Sequence, residues 1–344
     1  MKTVTFFNNK GGVGKTTTIV NLAAYMAKCR NKRMIILDLD PQSNSTQAIL
    51  PEEQWENLYG EEASVNTIFD YFKQYVQGDS TFNFLPIPIK AEDNNYHVAL
   101  IPGHLNMSLV DDVMSSSWGS LRTPGGLRVQ NWLNQLKKHI EKDYDYLFID
   151  VGPSLGPLNR SALLNSDYFF TPMASDIFSL LGVKNIKNWI NSWANEYYSF
   201  IEISFPQTKF YTDSFYDDYL INSSREHLVK FVGYSIQQYT ARKFKSGIRV
   251  TKSYERVVNE FPKAIIECLG EFKADNITED MLKLGDIPYA YSVIPLSQLS
   301  NTPIFDLTYD TGIRGGQSAS VEDYTKYISE IADRFLRNVG DNNE

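Results

Sequence analysis

Cysteine is nearly missing from these 344 residues: only Cys29 and Cys268 occur, and they form no Cys-x-x-Cys pair. The four histidines, His97, His104, His139 and His227, show no metal-ligand spacing. Neither a disulfide framework nor a cysteine–histidine metal centre is therefore implied, which suits a reducing cytoplasm. No run of about 18 apolar residues occurs, so the sequence offers no transmembrane helix. Met1-Lys2-Thr3 leads directly into Val4-Thr5-Phe6-Phe7 without a basic segment or cleavage site, and the expectation is an unprocessed cytoplasmic protein. A surplus of base is absent too. With 33 Lys and Arg against 41 Asp and Glu, the net charge is -8, and any contact with nucleic acid must come from a local patch.

What is present is ordinary globular material, 42% hydrophobic and 22% charged. Val4 to Phe7 reads as a short buried strand, and Ile19, Val20, Leu22, Ala23, Met26 and Ala27 recur at helical spacing. Met34-Ile35-Ile36-Leu37-Asp38 is a continuous apolar run ending in a carboxylate, as in a parallel strand covered on both faces. The pattern returns at Tyr144 to Asp150 and Asp167 to Pro172, with helix-like residues 157–162 between them. Further strands are expected at Val229 to Ile236 and Tyr291 to Pro295, and a closing amphipathic helix at Val321 to Leu336. This alternation predicts an α/β fold with three layers, a mostly parallel twisted sheet flanked by helices. One domain over residues 1–337 is expected, with insertions at about 51–95 and 189–226 and a flexible acidic tail at 338–344. In the first insertion a short helix is expected from Ser64 through Phe72.

Between the first strand and the first helix lies Lys10-Gly11-Gly12-Val13-Gly14-Lys15-Thr16-Thr17. Glycines let backbone N–H groups curl around phosphate oxygens, and the following helix directs its positive end at the anion. The segment reads as a P-loop for Mg-ATP: Lys15 reaching the β and γ phosphates, the Thr16 hydroxyl on Mg²⁺, and Thr17 on the α phosphate. A hydrolase also needs carboxylates at strand ends beside that loop, and Asp38, Asp40 and Asp150 fit.

The loop departs from the common pattern, with Asn9 where a first glycine is usual and a second lysine, Lys10. In this it resembles the ParA/MinD family, whose P-loop is deviant in the same way. Asp38-Leu39-Asp40-Pro41-Gln42 resembles the family's D-x-D-P-Q segment, and Ile149-Asp150-Val151-Gly152-Pro153 its Walker B strand and second switch, with Gly152 replacing a proline. The resemblance implies the P-loop NTPase fold, Asp40 as the residue that positions the attacking water, and Asp150 and Asp38 on the Mg²⁺ side. It implies that Lys10 reaches the partner's nucleotide in an ATP-dependent homodimer. Ser292-Val293-Ile294-Pro295 resembles the strand before the nucleotide base, which places Pro295 at the cofactor. Slow hydrolysis, stimulated by a small DNA-binding or cargo-adaptor partner, and a cytoplasmic or nucleoid location follow from the same resemblance.

Arg242, Lys243, Lys245, Arg249 and Lys252 form the richest basic stretch and are the candidate surface for non-specific DNA; the plainer reading is a solvated helix face. A second basic group, Lys28, Arg30, Lys32 and Arg33, is attributed to the favourable end of a helix dipole. The competing functions are a MinD-like membrane-positioning ATPase, disfavoured by the acidic end of the chain, and a metabolic ATP-dependent ligase on the same fold.

Overall fold

The computed structural model describes residues 1–60, 63–79, 82, 84–207, 213–239, 241–244, 247–250, 252–288 and 292–341. In chain order the elements begin β1 (Lys2–Phe6), α1 (Lys15–Arg30), β2 (Met34–Asp38), α2 (Asn44–Ile49), α3 (Trp55–Tyr59), α4 (Ile68–Val76), β3 (Ala99–Ile101) and α5 (Met107–Gly119). They continue with α6 (Pro124–Gln130), α7 (Trp132–Ile140), β4 (Tyr146–Asp150), α8 (Pro157–Leu164), β5 (Tyr168–Ala174) and α9 (Ile177–Gln207). The remainder are α10 (Asp213–Asp218), β6 (Lys230–Tyr239), β7 (Ala241–Phe244), β8 (Gly247–Val250), α11 (Lys252–Leu269), β9 (Lys283–Pro288), α12 (Val293–Leu299) and α13 (Gln317–Asn338).

Seven strands form one parallel sheet in the order β3-β2-β4-β1-β5-β6-β9. Because side chains alternate along a strand, each apolar run serves two cores. Ile35, Leu37, Leu147 and Ile149 face a cluster built with α4, α5, α7, α8, α9 and α11. Met34, Ile36, Tyr146 and Phe148 face the opposite cluster, filled by α1 and α13. There the Phe6 ring lies 4.9 Å from both Phe148 and Phe170. Such double coverage is why these strands read as unbroken hydrophobic runs.

The structure differs from the sequence reading at several places. The helix in the first insertion starts at Ile68, not Ser64, because Thr67 and Asp70 form a capping box, the Thr67 N–H donating to Asp70 Oδ2 at 2.8 Å. Residues 189–207 continue α9, so half of the second expected insertion is the end of one 31-residue helix. Tyr291 lies outside the described residues, and Val293 to Pro295 open α12 where a strand was expected. Pro295 is tolerated there because a helix's first N–H groups have no intrahelical partner. The basic stretch is an antiparallel hairpin, β7 with β8, not a helix face, and only Lys252 sits on a helix; Lys245 lies outside the described residues. Asp341, assigned to a loose tail, accepts hydrogen bonds from Lys32 and Tyr146.

Candidate nucleotide site

β1 delivers the chain to a loop whose shape is dictated locally. Asn8 is buried, its amide donating to the Pro172 carbonyl at 2.6 Å while its Oδ1 accepts the Lys10 N–H at 2.9 Å, which ties the loop's start to the end of β5. Gly12 and Gly14 adopt φ of 72° and 75°, left-handed values that side chains with a Cβ rarely take. Gly14 is the N-cap of α1, and no acidic residue occupies that helix's first turn. Its positive end is thus left for an external anion. Lys10 through Thr17 line a cavity of about 1260 Å³, together with Asp40 and Pro295. Ligand pockets usually measure about 300–1,000 Å³, so a nucleoside triphosphate fits with room to spare.

Behind the loop the charges converge. Lys15 and Asp150 form an ion pair with side chains only 8% and 0% exposed. Thr16 Oγ1 donates to Asp150 Oδ2 at 2.9 Å and Ser45 Oγ donates to the same oxygen at 2.6 Å. β4 pairs with β1 and β2 in parallel, and that register sets Asp150 beside Phe6 and Asp38 at the strands' C-terminal ends. Asp38 is fully buried and outside the cavity lining; its Oδ2 accepts both the Thr46 N–H and the Thr46 hydroxyl at 2.8 Å. Burial and the neighbouring Asp150 push its carboxyl up to about 8, against the pull of the Thr46 bonds. Asp40 is 5% exposed and also raised by burial, while the Gln42 N–H, donating at 3.0 Å, opposes the shift.

Among the described residues no three His, Cys, Asp or Glu side chains group to hold a metal by themselves. A nucleotide-borne Mg²⁺ does not need them, since phosphates and water supply most of its oxygen ligands. The Thr16 hydroxyl and the Asp150 carboxylate are hard oxygen donors side by side at the head of α1, and they fit such an ion.

Lys10 is turned away from Asp150 and pairs with Asp176, immediately before α9. Beside that pair Ile177, Phe178 and Leu181 stand 46%, 73% and 61% exposed. Ser45, Thr46 and Asn8 escaped the sequence reading because their roles depend on partners in other strands; the closeness of Ser45 and Thr46 to the Asp40 segment was the only signal. The second basic group is neutralised within the chain: Lys28 pairs with Asp306, Arg30 with Asp333, Lys32 with Asp341 and Arg33 with Asp145. The hairpin bearing Arg242, Lys243 and Arg249 lies outside the main sheet.

Residues 1–203 match a family model described as AAA domain. The virulence-plasmid ParA family protein pGP5-D of Chlamydia psittaci is 26% identical over 203 residues, 57% of this chain and 65% of that protein. The sporulation initiation inhibitor Soj of Bacillus subtilis is 28% identical over 191 residues, 55% of this chain and 64% of its own length. The chain thus spans a little under two thirds of these curated relatives. A crystal structure from Corynebacterium diphtheriae is 29% identical with a TM-score of 0.75, covering 98% of this chain and 99% of that one. The pNOB8 ParA bound to nonspecific DNA shares the fold at 16% identity and a TM-score of 0.56, covering 99% of both chains. The deviant loop, the carboxylates at the ends of β2 and β4, the seven-stranded parallel sheet and these matches agree, and the chain belongs to the AAA domain family, with the P-loop fold of the ParA/MinD type.

Proposed function

We propose that this chain is a ParA-like ATPase that binds Mg-ATP, dimerises around it, and positions or partitions DNA or another cargo. The observation that carries the reading is the meeting of Lys15, Thr16 and Ser45 on Asp150 at the open N-terminus of α1. Lys15 and the loop N–H groups would hold the β and γ phosphates, and Thr17 the α phosphate. Thr16 and Asp150 would hold Mg²⁺, with Asp38 behind them; the ion supplies neutralisation of phosphate charge. Asp40, lining the cavity with its Oδ1 fixed by the Gln42 N–H, would orient the attacking water. Pro295 would border the base.

Lys10 supports the dimer part of the reading. It is 38% exposed at the mouth of the cavity and next to the exposed apolar start of α9, so leaving Asp176 would let it meet a second subunit's phosphates as a cation supplied in trans. Hydrolysis would then dissolve the dimer, and a small DNA-binding or adaptor protein would accelerate that step.

The hairpin supports contact with nucleic acid. Arg242 and Arg249 are backbone register partners on β7 and β8, and Lys252 opens α11, so the chain concentrates several cations in one short stretch to which a polyanion would be drawn. The test is light scattering with ATP, ADP and no nucleotide, followed by DNA binding titrated against salt. A dimer only with ATP, and DNA affinity that falls as salt rises, are expected; a monomer under every condition would sink the dimer, and no DNA binding at low salt would remove the DNA role.

A further inference from the structure

We propose that Asn301 is a positioning residue that couples occupation of the base side of the nucleotide cavity to the geometry of the Asp40 loop. The inference rests on the ATPase reading above and deepens it.

The argument begins with α2, six residues long and too short to hold itself together. Its N-terminal half is fastened to the charged centre, through Ser45 to Asp150 and Thr46 to Asp38. No side chain caps its start, and Ser43 just before it adopts φ 51°. At its other end the carbonyls of Gln47, Ala48 and Leu50 have no successor turn to accept from. The Asn301 amide nitrogen lies 3.0, 3.1 and 3.0 Å from these three oxygens, and its two hydrogens serve them between them. Trp55 Nε1 adds a bond to the Leu50 carbonyl at 3.1 Å.

Asn301 reaches α2 from another stretch of the cavity wall. It follows α12, and Pro295, Gln298 and Asn301 itself line the same cavity as Gln47 and Ala48. Three residues on, the Ile304 N–H donates to Asn21 of α1 at 2.8 Å, so this wall is also fixed to the helix that begins at the phosphates. A base filling that end of the cavity bears on the 295–304 wall, and Asn301 passes the constraint to α2. In turn α2 holds Ser45 and Thr46 against Asp150 and Asp38, with Asp40-Pro41-Gln42 directly ahead of it. The plainer explanation is that Asn tolerates the φ of 43° found here. Glycine would tolerate it as well, so backbone tolerance alone predicts no loss on replacement.

That difference supplies the experiment. Asn301→Gly keeps the backbone and removes the donor; Asn301→Asp keeps the shape and replaces the donor with an acceptor. Thermal melts first establish that both fold. Steady-state ATP hydrolysis is then measured, with hydrogen exchange over residues 44–50 followed with and without a non-hydrolysable ATP analogue. Misplacement of catalytic groups by a remote change costs about tenfold to a hundredfold, so kcat is expected to fall in that range with KM little altered. The analogue is expected to protect residues 44–50 in the parent protein and not in the variants. Parental kcat together with parental protection in Asn301→Gly would overturn the proposal. Absence of hydrolysis by the parent protein would instead overturn the ATPase reading, and the exchange measurement would still decide the role of Asn301.

Discussion

The Lys10 ammonium is paired with the Asp176 carboxylate, joining the first residue of the phosphate loop to the residue that precedes α9. Asp176 is held in place by the Ser179 N–H at 3.0 Å, so the lysine rather than the carboxylate is the part free to leave. With side chains 38% and 32% exposed, the pair is worth about 0–1 kcal/mol. A role for Lys10 in a second subunit must first overcome that amount. Asp176→Asn should therefore tighten ATP-dependent dimerisation by about twofold to fivefold, read by sedimentation equilibrium with a non-hydrolysable analogue. Weaker dimerisation would mean that Asp176 is itself an interface contact. Lys10→Ala should leave nucleotide binding by the monomer intact and abolish the dimer.

The buried Lys15–Asp150 pair obeys different energetics. Removing one partner strands a charge out of water, at a cost of about 3–5 kcal/mol. Lys15→Ala should destabilise the nucleotide-free fold by that order in urea unfolding, and adding Asp150→Asn should recover much of it. Strictly additive losses would show that the two charges do not sense each other.

A side chain at Gly156 would displace the Asp111 carboxylate. A Cβ there would stand 1.9 Å from Asp111 Oδ2, the carboxylate whose other oxygen accepts the Leu158 N–H at 2.9 Å at the start of α8. Gly156→Ala should cost about 1–3 kcal/mol, and much less in an Asp111→Ala background. Equal costs in both backgrounds would clear Asp111 of the clash.

Asp111 also makes a pH prediction. Burial raises its pKa, and the bond from Leu158 only partly offsets this. The folded state therefore holds this proton more tightly than the unfolded chain, and stability contributed by Asp111 declines as pH rises from the ordinary carboxylate range through the raised value. Asp111→Asn should gain on the parent protein as pH rises from 4 to 8; the opposite trend in melting temperature would refute it.

Each lysine or arginine that neutralises a DNA phosphate contributes about 0.9 to the slope of log affinity against log salt. Replacing Arg242 and Arg249 with Ala should lower that slope by about 2. An unchanged slope would move the DNA surface elsewhere.

Much of the nucleotide site was legible because its information is local. Glycine at positions needing positive φ, a lysine and threonine opening a helix, and apolar runs ending in Asp38 and Asp150 are properties of a few adjacent residues. The basic stretch misled because charge carries no periodicity of its own: the same residues suit a helix face or a hairpin. Pro295 was placed beside the cavity while its element was misread, since a short apolar run of four residues does not distinguish strand from helix.

The sequence by itself determined the loop's conformation, the αβ alternation and the identity of the charged groups, because sterics and side-chain periodicity act over a few residues. Only the tertiary structure decided who meets whom. Ser45 reaches Asp150 across 105 positions, Lys10 reaches Asp176 across 166, and Asn301 reaches Ala48 across 253. The first two meetings are set by the strand order β3-β2-β4-β1-β5, which brings distant strand ends to one edge of the sheet, and the third by the segment after α12 closing on α2. That order is chosen by which apolar faces bury best together, a property of the whole chain that no segment contains.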